Sequence, residues 1–434
     1  MKLNFKLILI IVLSIFLIIL LGYFSYNIFS HYSSFDNLSN SKIFINDTSA
    51  KVTKYAIYGT HLNIEGNLTL NDKINTENSK FKMVIINKNS KEIDIPLFTD
   101  LKNNKLYFYT SKTINQGIYL DSLIENNYYI YIKITDKVSG LSAYYNLKNY
   151  TEYWDLEYYT ITRNNNNNKI DIKWNENTLQ LISKETKLPN NYYDIVIDQG
   201  HGGKSTGAMY NGYTESLLTY NIGKKLQKNL EKLGLKVLTT RNDIDETIED
   251  YGENGRTVIP NKVKAKYCFS IHLNASDINS DATGVEIYCP SNADLTLGKT
   301  LSDKIMEMTN SNISPNNYGR YSKGVYVLTF NKEVIDECSK EAIDDGYTPY
   351  DIDLDTPLFF MIREVGGIST KAYTDGRNEK VGKNIYYNSN QTAEGYLLEL
   401  GYMSNKDEIT KIVSNEDKYV KAISDSIKEY LKLN

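Results

Sequence analysis

The chain has 434 residues, 41% hydrophobic and 24% charged, with a formal net charge of −4 at pH 7. Its length suits two or three domains, and a near-neutral balance without any long basic block excludes an electrostatically driven nucleic-acid binder. Three cysteines, Cys268, Cys289 and Cys338, allow at most one intramolecular disulfide, which excludes a disulfide-held scaffold.

Residues 1–6 read as a cytoplasmic tail carrying Lys2 and Lys6. The next 18 residues, Leu7–Phe24, are uncharged and almost wholly apolar, broken only by Ser14 and Gly22. As a helix they reach about 27 Å, near the lower limit for crossing a bilayer. No Lys or Arg follows until Lys42, so the positive-inside rule puts the N-terminus in the cytoplasm and the rest of the chain outside. The expectation is an uncleaved single-pass anchor in the cell membrane. Its rival is a signal peptide whose cleavage would release a secreted protein. The long apolar run and the lack of a small-x-small pattern around Tyr23–Phe24–Ser25–Tyr26 weigh against cleavage. The abundance of Asn, Lys, Ile and Tyr reads as the codon bias of an AT-rich bacterial genome.

Residues 25–50, rich in Ser, Asn and Asp, read as a stalk. From 51 to 163 the pattern has period two: Ile130, Ile132 and Ile134 share one face, Tyr129, Tyr131 and Lys133 the other, and Phe81, Met83 and Ile85 repeat the theme. Turn signals such as Lys88–Asn89–Ser90 and Val138–Ser139–Gly140 separate the runs. This predicts an Ig-like β-sandwich without a catalytic cluster, serving as a spacer or a partner-docking module. His61 within it is an ordinary strand or turn residue. Residues 164–191 are expected to be a linker, because they open on five asparagines, Asn164–Asn168. The alternation of Ile170, Ile172 and Trp174 also fits a last strand of the sandwich or a docking strand.

From residue 192 to 434 the grammar becomes strand, helix, strand. Leu218, Ile222, Leu226 and Leu230 make one buried helix face, which Gly234 closes as a C′ residue. Strands are predicted at Leu235–Thr240, Gly284–Tyr288 and Gly324–Thr329. Helices are predicted near Gly255–Lys264, over Ala293–Met308, and at the C-terminus through Tyr419, Ile423, Ile427 and Tyr430. Such alternation predicts a three-layer αβα domain around a mixed, mainly parallel sheet.

Three apolar runs in this half end on residues with chemistry. Asp194–Asp198 leads to Gly200–His201–Gly202–Gly203, Tyr267–Ile271 leads to His272–Leu273–Asn274, and Tyr396–Leu398 leads to Glu399–Leu400–Gly401. Ligands bind beyond the carboxyl ends of strands in open α/β sheets. The chain has only four histidines, and two of them stand at such ends. Two imidazoles and a carboxylate meeting there are the material of a catalytic zinc centre.

These motifs resemble the zinc-dependent N-acetylmuramoyl-L-alanine amidases of the Amidase_3 family. The stretches that carry the resemblance are Val196–Gly203, Gly212–Leu217, Leu238–Arg241, Ser270–Ala275, Gly284–Tyr288 and Leu398–Asn405, in the family's order. The resemblance implies a six-stranded αβα fold, one zinc ion per chain, and hydrolysis of the amide between N-acetylmuramic acid and L-alanine in peptidoglycan. By motif position it implies His201, Glu215 and His272 as zinc ligands and Glu399 as the catalytic carboxylate. Gln199 departs from the family's usual proline, and the segment 331–392 is longer than in many members.

The residues suit those roles. Taken alone, Glu215 is a helix N-terminal carboxylate favoured by the macrodipole; its family-like Gly-x-x-Glu setting makes it a ligand. Glu399 closes an apolar strand, where an acid is costly unless paired or working, and suits a general base for a zinc-activated water. Its alternative is a structural salt bridge with Arg241 or Arg377. Asp198 is expected to orient His201 from the second layer, and Asn274 to act either there or in a turn. Arg241 and Arg377 remain possible substrate contacts. The inserted segment, with Lys371–Asn378 and Tyr386–Asn390, suits a substrate wall or lid, or else a subdomain that merely packs. Two other functions stay open: a different zinc peptidase or deacetylase of the cell wall, and a non-catalytic peptidoglycan-binding protein. A wall role for the insertion predicts that Arg377→Ala raises KM in steady-state assays on peptidoglycan fragments; unchanged kinetics would remove that role.

Overall fold

The computed structural model describes residues 43–45 and 50–433, except 71–73, 75, 90, 104, 150–154, 164–165, 176–177, 345, 347–348, 350–351, 353, 355 and 369–383. The expected membrane anchor and Arg377 lie outside the described residues. Among the described residues no helix is long and apolar enough to cross a membrane.

The N-terminal half is a two-sheet β-sandwich. Its eight-stranded sheet is built around Asn126–Asp136, whose two edges pair with Ser79–Asn87 on one side and with Ser142–Asn146 and Thr178–Thr186 on the other. The facing sheet centres on Ala50–Tyr58, His61–Thr69 and Lys105–Tyr109. Ile130, Ile132, Met83 and Ile85 are fully buried between the sheets, as their period-two spacing predicts. The stretch expected as a linker instead holds two strands of this sandwich, Asn167–Asn175 and Thr178–Thr186. The apolar alternation of Ile170 and Ile172, both at 0% exposure, overrides the polar asparagine run.

The second half is the expected α/β domain. Its sheet has seven strands rather than six, ordered Val237–Thr239, Ile195–Gln199, Tyr267–Asn274, Glu394–Tyr402, Glu286–Tyr288, Val325–Tyr326 and Arg320–Ser322. Among the described residues four of its six pairings are parallel, and Glu286–Tyr288 runs against Glu394–Tyr402. The seventh strand is a short hairpin partner at the edge. Ile195–Gln199 is buried along its whole length, as a strand covered on both faces must be.

One face is covered by the helices Glu215–Lys232, Thr296–Thr309 and Glu416–Tyr430. Ile222, Leu226 and Leu230 are fully buried there, each contributing roughly 1.5–3 kcal/mol. Gly223 lets this helix lie against the Gln199 side chain. Gly234, at φ +86°, ends it in the left-handed conformation that glycine favours. The other face is covered by Phe360–Val365, whose Met361 and Val365 pack on Val196 and Cys268. That helix belongs to the inserted segment, so the described part of the insertion supplies a structural layer. Cys268, Cys289 and Cys338 are all free thiols.

The sandwich docks on the amino ends of the α/β strands. Thr60 and the Tyr267 hydroxyl lie 3.1 Å apart, and Thr162 N donates to Asp194 Oδ1 at 3.1 Å. Ile57 N donates to Asn390 O at 2.7 Å, and Gln391–Thr392 joins the sandwich sheet as a parallel strand beside Ile57–Tyr58. The Tyr386–Asn390 stretch therefore reaches this seam through Asn390, next to the start of the Glu394–Tyr402 strand. Lys371–Asn378, the other stretch of the expected substrate wall, lies outside the described residues.

Glu394 lies in the seam. Asn115 Nδ2 donates to its Oε2 at 2.8 Å, while Oε1 has no partner. Burial pushes this carboxyl up to about 8. The folded state therefore holds a proton that the unfolded chain has released between about 4.5 and 8. Stability should fall as pH rises through that window and level off above it. Thermal denaturation across pH should show a flatter dependence for Glu394→Gln, and an unchanged slope would contradict this origin.

Candidate functional site

The site forms where the strand ends meet the first turn of a helix. His201 follows Ile195–Gln199 and adopts φ +62°, a left-handed conformation uncommon for a side-chain-bearing residue. Reciprocal backbone bonds between Gly202 and Ser205, at 2.7 and 2.9 Å, hold its loop. The guanidinium of Arg241 lies beneath, donating to Gly200 O at 3.3 Å and Ser216 O at 2.8 Å. Glu215 is the first residue of its helix and is 4% exposed. His272 stands near the end of the adjacent strand Tyr267–Asn274.

Glu215 joins the two histidines. Its Oε2 lies 3.1 Å from His201 Nε2 and its Oε1 lies 3.0 Å from His272 Nδ1. Ala208 N and Leu273 N donate to the same carboxylate at 2.9 and 3.0 Å. The imidazole centroids are 5.0 Å apart, and the three potential ligand atoms all fall within 4.8 Å of one another. Burial would raise the Glu215 carboxyl, but the imidazoles of His201 and His272 hold it far below the usual carboxylate range. At Gly207 a Cβ would come within 2.6 Å of Glu215 Oε2 and His201, so the loop must be bare there. Two imidazole nitrogens and one carboxylate fit the three-ligand donor set of a catalytic zinc site.

Glu399 stands opposite His272 on the next strand. Its Oε2 is buried without a hydrogen-bond partner, and it makes no ion pair with Arg241. Burial, then the charges of Glu215 and Glu286, push its carboxyl well above the ordinary range. A divalent cation beside it acts in the opposite sense and favours the ionised form.

Two expectations are corrected. Asp198 does not touch His201, whose Nδ1 instead faces Ser205 Oγ at 3.1 Å. Strand alternation sends Asp198 to the side of Val196, where it accepts from Arg256 at 2.8 Å, Thr240 at 3.0 Å and Ser270 at 2.6 Å. Burial raises its carboxyl, but Arg256, Ser270 and His272 together outweigh that and the net shift is downward. Arg241 is fully buried on backbone carbonyls and does not face a substrate. Among the described residues Asn274 makes no side-chain hydrogen bond to any of the three potential metal ligands: its Oδ1 accepts from Ala275 N at 2.8 Å, and its Nδ2 donates to Glu286 at 3.3 Å. Glu286, Ser205 and Arg256 were not singled out by sequence. An acid inside the apolar run Val285–Tyr288 was the signal for Glu286, the same signal that marked Glu399.

An αβα domain with a histidine–glutamate–histidine cluster at its strand ends is the class this geometry defines. Residues 195–335 match the Amidase_3 family, N-acetylmuramoyl-L-alanine amidase, which supports the resemblance carried by the motifs. The N-acetylmuramoyl-L-alanine amidase LytC of Bacillus subtilis (strain 168) is 28% identical over 152 residues, 35% of this chain and 29% of that protein. The "Probable cell wall amidase LytH" of a Staphylococcus epidermidis strain is 34% identical over 131 residues, 29% of this chain and 41% of its own length. The chain thus matches less than half the length of either relative. Among solved structures, the catalytic domain of CwlV, an N-acetylmuramoyl-L-alanine amidase from Bacillus (Paenibacillus) polymyxa var. colistinus, aligns at 22% identity and a TM-score of 0.37. That alignment covers 56% of this chain and 99% of the CwlV domain.

Replacing Asp198 with Asn removes the nearer of the two carboxylates beside the buried Arg256 cation and leaves only Asp250 Oδ1, at 3.6 Å. Urea denaturation should show about 3–5 kcal/mol less stability; a loss below about 1 kcal/mol would mean the pair carries no weight.

Proposed function

We propose that this chain is a zinc-dependent N-acetylmuramoyl-L-alanine amidase of the bacterial cell wall, attached to the membrane through Leu7–Phe24. The observation that carries the reading is the convergence of His201, Glu215 and His272 within 4.8 Å, with Glu399 in register beside His272. His201 Nε2, His272 Nδ1 and a Glu215 oxygen would hold the ion. When bound, zinc supplies Lewis-acid polarisation and brings the pKa of a bound water to about 7.

The protein groups do the rest. Glu399 takes the proton of the attacking water as the water oxygen adds to the lactyl carbonyl carbon. It returns that proton to the alanine nitrogen as the carbon–nitrogen bond breaks, leaving a lactyl carboxylate and a free L-alanine amino terminus. Burial, and then the charges of Glu215 and Glu286, favour the protonated form of Glu399, which suits it to keep the proton until the leaving nitrogen needs it. The sandwich, docked at the amino ends of the strands, leaves the carboxyl ends free for a polymeric substrate, and its role is that of a spacer or a docking module for a protein partner.

Digestion of purified peptidoglycan should release new L-alanine amino termini from intact glycan strands, and a chelator should stop the release. Acetate as product would favour a deacetylase, and binding without cleavage a non-catalytic wall protein. Glu399→Gln should retain zinc while kcat drops by about 10²–10⁴-fold. Equal product from variant and wild type would discard the base assignment.

A further inference from the structure

We propose that Glu286 is a positioning residue: its carboxylate clamps a strand bulge on which the aim of Glu399 and His272 depends. The inference rests on the amidase reading above. His272 stands opposite Glu399, yet Asn274, two residues further, stands opposite Tyr402, three residues further. The Glu399 strand thus carries one extra residue directly after Glu399, with Gly401 at φ +147°. Such a bulge bends its strand and re-aims side chains. In an unbulged strand Tyr402 would face away from Glu399; the extra residue brings it to the same side. Leu398 and Leu400, fully buried on the opposite side, fix which way Glu399 must point.

Glu286 lies on the third strand, directly opposite Glu399, and is fully buried. Its Oε1 accepts from the Tyr402 hydroxyl at 2.8 Å and from Ser314. Its Oε2 accepts from Asn274 Nδ2 at 3.3 Å and from the Tyr288 hydroxyl. Asn274 and Tyr402 are the two residues that close the bulge, so one carboxylate grips both sides of it. Four donors fill the roughly four lone-pair sites of a carboxylate. Met403 N, donating to Asn274 O at 2.7 Å, is the backbone tie that the clamp protects.

A clamp needs shape and hydrogen bonds rather than charge. A glutamine can accept from Asn274 and Tyr288 with its oxygen. It can donate with its nitrogen to Tyr402 and Ser314, whose hydroxyls can turn to accept. Alanine can do neither.

The test uses the full chain loaded with zinc. Glu286→Ala should lower kcat at least tenfold with KM within threefold of wild type. Hydrogen exchange should show amide protection lost at Leu400–Met403 and kept at Ile195–Gln199. Glu286→Gln should stay within threefold of wild type in kcat and keep its protection. Tyr402→Phe removes one donor while filling the same space. It should shift both readouts in the direction of Glu286→Ala but by less, and it decides the question if the alanine variant does not fold. Wild-type values in both Glu286→Ala and Tyr402→Phe would overturn the clamp. So would a loss in Glu286→Gln as large as in Glu286→Ala, which would assign the role to charge. Absence of amidase activity in the wild type defeats the amidase reading alone. Hydrogen exchange then decides the clamp: protection lost with alanine and kept with glutamine supports it, and equal protection overturns it.

Discussion

A buried carboxylate between two imidazoles is the constraint around which the α/β half is organised. Glu215 is nearly inaccessible to water, and a charge in that position is tolerable only with strong partners on each oxygen. It has them: two imidazole nitrogens and two backbone amides. Meeting that demand requires two parallel strands to end at the same level, a helix to start above them, and a bare loop at Gly207 to let the groups approach. The left-handed backbone of His201 is part of the same solution, held by the Gly202–Ser205 pairing and by Arg241 below.

The two ends of the sheet divide the labour. The carboxyl ends gather Glu215, Glu286 and Glu399, none of which forms an ion pair with Lys or Arg among the described residues, whereas Asp198, one layer down, has Arg256. A donor cluster with no Lys or Arg competing for it is what a cation-binding site needs. The amino ends are closed by the sandwich through Thr60, Asn115 and Thr162 and by a strand contributed from the insertion. The insertion thus serves the architecture twice, covering one face with Phe360–Val365 and stitching the two halves together with Gln391–Thr392.

The sequence was most legible where periodicity and chemistry coincided. The Leu218–Leu230 ladder, the buried Ile195–Gln199 strand and the paired histidines at strand ends could be read because each pattern has one economical explanation. It was least legible where a local signal competed with a distant one. The asparagine run Asn164–Asn168 looked like a linker because local polarity hid the pairing of Asn167–Asn175 with Thr178–Thr186. Asp198 looked like the partner of His201 because the two are close in sequence, but strand alternation turns them apart. Arg241, Arg256 and Glu286 carry charges whose partners lie on other segments, and no spacing rule connects them.

By itself the sequence determined the order of strands and helices, the faces they bury, and the chemical types present at the strand ends, because these follow from side-chain periodicity and residue identity. Only the tertiary structure decided that Asp198 turns away from His201, which acid lies beside Glu399 without touching a cation, and which end of the sheet the sandwich closes. Those outcomes depend on distances of a few ångströms between segments far apart in the chain. Such distances are set by sheet register, by the bulge after Glu399 and by helix packing, and none of these is a property of any one stretch of residues.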